Sequence, residues 1–92
     1  MISDESTKDR LIRLMDFKRV GPAELNRQTG IAAQRWADIR TGRVRASTEE
    51  LDACIKLWPE YAYWITTGKT IPEAGQISPE IEETRRNLKG AG

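Results

Sequence analysis

The stretch from Gly21 to Gly42, GPAELNRQTGIAAQRWADIRTG, constrains the fold more than any other part of the chain. Two short helical patterns meet there at a glycine. Pro22 suits the first position of a helix, where its missing N–H has no intrahelical partner to lose, so Gly21-Pro22 predicts a helix start. Gly30 predicts that helix's end, because glycine takes up the left-handed conformation common at helix C-termini. Ile31 follows as an apolar plug. A second helix is predicted over about residues 32–41, with Trp36 and Ile39 on one face and Gly42 beyond its end. Helix, tight turn, helix is the helix-turn-helix unit, whose second helix enters the major groove in proteins that read DNA with it.

The rest of the chain reads as helices packed around that unit. A first helix is predicted over residues 3–18, with Ser3 or Ser6 as its N-cap and Asp4, Glu5 and Asp9 near its positive end. Leu11, Leu14 and Met15, with Ile12, form its inward face. Arg43 to Ala46 is a basic loop. Ser47 and Glu50 then form a capping box that opens a fourth helix, in which Leu51, Cys54, Ile55 and Trp58 make one buried stripe. Pro59 predicts a break near Trp58. A fifth helix follows from Pro59 to just before Gly68, with Tyr61, Trp64 and Ile65 inward.

Residues 68–77 have a linker composition, with Gly68, Pro72 and Gly75. Ser78-Pro79-Glu80 reads as a fresh helix start, and Ile81 and Leu88 give residues 79–89 a thin apolar edge. Gly90 to Gly92 are predicted to fray. No strand pattern or repeat appears. The fold class is all-α, with five packed helices in a domain over residues 1–68 and a linker with a short C-terminal tail or extra helix over 69–92.

Several function classes are excluded by what the 92 residues lack. No apolar run approaches the ~20 residues of a membrane span, and Met1 to Arg10 is polar, unlike a secretory signal. Cys54 is the single cysteine, so no internal disulfide forms, and the chain fits a reducing cytoplasm. Cys54 itself reads as a small buried hydrophobe. With no histidine, Cys/His zinc sites and histidine acid–base chemistry are both ruled out. No phosphate-binding glycine loop or nucleophile–base arrangement is present, so the expectation is a binding protein without catalytic residues, metal, cofactor or small-molecule substrate.

Charge is unevenly placed. The whole chain carries only +1, yet residues 18–45 hold Lys18, Arg19, Arg27, Arg35, Arg40, Arg43 and Arg45 against Glu24 and Asp38, a local net of +5. Both flanks are acidic. A concentrated basic face is what neutralisation of phosphates requires.

This order of elements resembles the lambda-repressor-like domain of the Xre/Cro/C1 family of phage and bacterial regulators. The residues that carry the resemblance are Glu24-Leu25, Thr29-Gly30-Ile31, the Trp36, Ile39 and Gly42 run, the basic loop after it, and Tyr63-Trp64-Ile65-Thr66-Thr67-Gly68. It covers residues 10–68. Asn26 stands where the family usually has alanine, Ala32 where a serine or threonine caps the recognition helix, and Trp36 where isoleucine or valine is usual.

The resemblance implies a sequence-specific double-stranded DNA-binding transcriptional regulator. It would be a homodimeric repressor on a pseudo-palindromic operator, with a recognition helix at about 32–41. Carried over by position, Ala33, Gln34, Arg35, Ala37 and Asp38 would meet base edges. Gln34 would pair with adenine, Arg35 with guanine or a phosphate, and Asp38 would accept from cytosine or orient Arg35. Arg40, Thr41, Arg43 and Arg45 would hold phosphates, extended by Arg27, Lys18 and Arg19. The alternative on the same scaffold is a protein-binding module, such as an antirepressor, an adaptor or the antitoxin of a toxin–antitoxin pair. The low net charge and acidic tail favour that alternative.

Overall fold

The computed structural model describes residues 6–91. Ser3, Asp4 and Glu5, expected in the first helix and its cap, lie outside the described residues, as does Gly92. The first helix, α1 (Thr7–Lys18), is capped by Ser6. Ser6 Oγ accepts from the Asp9 N–H, and the Ser6 N–H donates to Asp9 Oδ2, both at 3.2 Å. This reciprocal pair satisfies two donors that a helix start leaves open.

The far end of α1 has no glycine. Arg19 takes the left-handed conformation there (φ 58°), a state that costs a residue with a Cβ roughly 1–2 kcal/mol. Two hydrogen bonds hold it, from the Arg19 N–H to Asp16 O and from the Val20 N–H to Met15 O, each 3.2 Å. They satisfy carbonyls that the helix end would otherwise leave open.

The second helix, α2 (Pro22–Thr29), starts and stops where its proline and glycine dictate. Gly30 sits at φ 79° and donates to Asn26 O at 2.8 Å. Asn26 has a local job: its Nδ2 donates to Ile31 O at 3.0 Å, while Thr29 Oγ1 accepts from the Ile31 N–H at 3.1 Å. The turn is thereby pinned from both sides. The third helix, α3 (Ala33–Arg40), follows without a side-chain cap, since Ala32 has none to offer.

Ser47 and Glu50 do form the expected capping box on α4 (Thr48–Leu57). The expected break at Pro59 appears as a 3-10 turn, Pro59–Tyr61, that leads into α5 (Ala62–Thr67). The stretch expected as a linker is a packed loop instead. Ile71 and Gln76 exchange backbone hydrogen bonds at 2.8 and 3.0 Å. The Gln76 side chain accepts from the Tyr63 N–H at 2.8 Å and donates to Pro59 O at 3.1 Å. The Ile77 N–H donates to Glu60 O at 2.9 Å. These bonds fix the start of α6 (Pro79–Ala91).

One core joins the elements. Leu11, Leu14 and Met15 of α1 meet Leu25, Trp36, Ile39, Cys54, Tyr61, Trp64, Ile65 and Ile77, all buried. Leu51, Ile55 and Trp58 of the expected α4 stripe are half-buried, and Cys54 alone is fully enclosed. Burial and the nearby Glu50 charge push the Cys54 thiol up to about 12, so it stays protonated.

Arg10 is also buried, its Nε donating to Ile65 O at 2.8 Å, which ties α1 to the end of α5. Gly68 caps that end at φ 80°. A Cβ there would sit 3.3 Å from Arg10 Nη1, so both conformation and space call for glycine. The α6 helix docks by its first half, through Ile81 on the core and an ion pair from Glu80 to Arg13. In its second half Arg86 lies over the Phe17 ring while Leu88 is 70% exposed. Among the described residues no helix is long and apolar enough to cross a membrane.

Truncation separates the two ends of this packing. Ile39→Ala lowers stability in urea unfolding by about 2–5 kcal/mol, because it empties part of the core. Leu88→Ala changes it by less than about 0.5 kcal/mol.

Candidate nucleic-acid interface

The α3 helix has two unlike sides. Trp36 and Ile39 are fully enclosed, and this burial, against α2 and α1, sets which residues remain outside. Gln34 is exposed, and Ala33, Arg35, Ala37 and Asp38 are half-buried. Gln34 Nε2 donates to Asp38 Oδ1 at 3.0 Å, one turn along. An ionised carboxylate only accepts, so the amide nitrogen must face Asp38, leaving Oε1 and the second N–H for an outside partner.

Beyond α3 the chain folds back on the helix end. Thr41 Oγ1 donates to Asp38 O at 3.3 Å, and the Arg43 and Val44 N–H groups donate to the same carbonyl at 2.8 and 3.4 Å. Gly42 turns the chain at φ 84°. Val44 packs on the core while Arg43 and Arg45, on either side of it, are exposed.

Arg35 departs from expectation. Its guanidinium turns to α4, where Nε donates to Glu50 Oε2 at 2.9 Å and Nη2 to Glu50 Oε1 at 3.3 Å. The same Nη2 reaches Arg45 O at 2.9 Å. Glu50 Oε1 also accepts from the Ser47 N–H and hydroxyl, each at 2.7 Å. The reason is a desolvated charge: Glu50 is 1% exposed, and an ionised carboxylate without water requires a cation and several donors. Burial pushes the Glu50 carboxyl upward, but the hydrogen bonds from Arg35 and Ser47 outweigh it and hold the group down at about 2. Asp38, expected either on cytosine or beside Arg35, partners Gln34 instead.

The basic cluster is also partly matched from within. Arg40 ion-pairs with Asp16 of α1 and donates to Val20 O at 3.3 Å. Arg27 pairs with Glu24 one turn back. The Lys18 ammonium lies 5.1 Å from the Tyr61 ring centroid and 5.9 Å from that of Phe17. Two of these partners, Asp16 and Glu50, come from outside the basic stretch and reduce its unmatched surplus to +3. Arg19, Arg43 and Arg45 carry no ion pair among the described residues, and Arg43 and Arg45 share the loop that Arg35 ties down. The structure therefore groups Gln34, Thr41, Arg43 and Arg45 around the outer side and end of α3, while Arg35, Arg40 and Arg27 are turned to acids of their own chain.

Glu50 makes the arrangement pH-sensitive. Its folded-state value lies below its ordinary 4.5, so its stabilisation is complete above about pH 4.5 and is lost as pH falls toward about 2. The difference in urea midpoint between the wild-type chain and Glu50→Gln should therefore be constant above that window and shrink within it. A difference that stays flat down to pH 2 contradicts the assignment.

No protein-family model matches the chain, and no curated protein sequence does. A solved structure is similar over nearly its whole length: Pf6r from the filamentous phage Pf6 of Pseudomonas aeruginosa PA01, with 42% identity and a TM-score of 0.81. The match covers 96% of this chain and 100% of that one. At that identity, over the complete length of Pf6r, the chain belongs to the same protein family as the filamentous-phage protein Pf6r.

Proposed function

We propose that the chain is a sequence-specific double-stranded DNA-binding transcriptional regulator of the lambda-repressor-like type, acting in the bacterial cytoplasm as a homodimeric repressor. The observation that carries this reading is the division of α3. Trp36 and Ile39 anchor it, its outer side presents an oriented Gln34 carboxamide, and the loop at its end carries the exposed Arg43 and Arg45. Membership of a family that includes a phage protein supports a regulatory role.

The chemistry follows from the residues. With one Nε2 hydrogen engaged by Asp38, Gln34 keeps its Oε1 acceptor and a second N–H donor, the group types that pair with N6 and N7 of adenine. Ala33 and Ala37 offer methyl contact, which suits the thymine methyl group. Arg43 and Arg45 hold phosphates, and the Thr41 hydroxyl would have to turn from Asp38 O to donate beside them. A homodimer would place two α3 helices one helical turn apart on a pseudo-palindrome.

A protein-binding module is the second reading, and the internal pairing of Arg27, Arg35 and Arg40 favours it by lowering the charge available for phosphates. Selection of binding sites from random duplexes separates the two. The DNA reading predicts an enriched motif that contains A·T pairs. Gln34→Ala should relax preference at one of them, at about 1–3 kcal/mol of discrimination, while Arg43→Ala weakens all sequences alike and lowers the salt slope by about 1. No enriched sequence at moderate salt overturns it.

A further inference from the structure

We infer that Arg35 is a positioning residue, which fixes the phosphate-binding loop against the recognition helix and reads no base itself. The inference rests on the DNA reading above and goes beyond it. The loop between α3 and α4 is tied at two places. At its start, the Arg43 and Val44 N–H groups are held by Asp38 O at the end of α3. Toward its end, Arg35 Nη2 holds the Arg45 carbonyl at 2.9 Å, and Arg35 Nε and Nη2 grip Glu50 in the first turn of α4. One planar guanidinium on α3 thus spans the loop backbone and the next helix, a task suited to its rigid fork of donors.

The geometry couples three things that DNA would meet together. Gln34 is the neighbour of Arg35 on α3, Arg45 lends Arg35 its carbonyl, and Arg43 is itself held at the first loop tie. With Arg35 in place, the two loop cations keep one distance from the Gln34 amide. Without it, the Arg45 carbonyl loses its donor, the Glu50 carboxylate is buried without its cation, and the second half of the loop is released. Phosphate contact would then be lost at Arg45, although that residue had not changed, while Arg43 stays tied to Asp38 O.

The test uses charge in a way that separates positioning from contact. Glu50 is 1% exposed and cannot touch a duplex from its place in the fold. Glu50→Gln removes a negative charge, so simple electrostatics predicts tighter binding and a steeper salt dependence. Positioning predicts the opposite: affinity for the selected site falls about tenfold, and the slope of log K against log salt drops by about 1.

Arg35→Lys keeps the charge but loses the fork, and it should show the same fall in slope to a smaller extent. Both variants should retain the wild-type order of base preferences. Folding is checked by circular dichroism at the binding temperature, and Arg35→Lys decides the matter if Glu50→Gln is unfolded. Tighter binding by Glu50→Gln, or lost preference at a single base pair with an unchanged slope in Arg35→Lys, overturns the inference. A wild-type chain with no sequence preference overturns the DNA reading instead, so the two failures are distinct.

Discussion

A carboxylate removed from water has to be repaid in hydrogen bonds, and the geometry around α3 follows from how Glu50 collects them. Its oxygens take the Ser47 N–H, the Ser47 hydroxyl and two nitrogens of Arg35. That set caps α4, ties α4 to α3 and holds the intervening loop. Replacing such a buried pair with apolar groups is often neutral for stability, but removing one partner is not. Its value here lies in specifying one arrangement of α3, loop and α4.

Around this clamp the core does the bulk of the stabilising. Trp36 and Ile39 reach inward from α3 to a centre shared by α1, α2, α4 and α5. The C-terminal segment belongs to that centre too, since Ile77 enters it and Gln76 closes the loop onto Pro59 and Tyr63. Arg13 adds a link on the outside, lying 5.3 Å from the Trp64 ring centroid while it ion-pairs with Glu80. Arg86, 4.8 Å from the Phe17 centroid, repeats that stacking further along α6.

What the residues announce on their own is whatever local chemistry decides. Pro22 and Gly30 bound α2, and Ser47 with Glu50 opens α4, because proline, glycine and capping residues act within three or four positions. The spacing of Trp36 and Ile39 announces which side of α3 is inside. The left-handed Arg19 carries no such signal, since nothing but tertiary packing makes an arginine end a helix that way. The destination of Arg35 is equally hidden. Its partner lies fifteen residues away, and Glu50 already has a sufficient local explanation as a capping residue. The packed loop at 68–77 was obscured by composition, because glycine and proline mark tight turns as readily as linkers.

Under the proposed function, the outer side of α3 and the loop after it form one surface that meets duplex DNA. Amide and side-chain NMR shifts of the full chain, followed as a duplex with the selected site is added, test it most directly. The largest changes are expected on Gln34, Thr41, Arg43 and Arg45, with Asp52 and Lys56 on α4 scarcely moved. Changes concentrated on α4 or α6, with Gln34 and the loop silent, would contradict it.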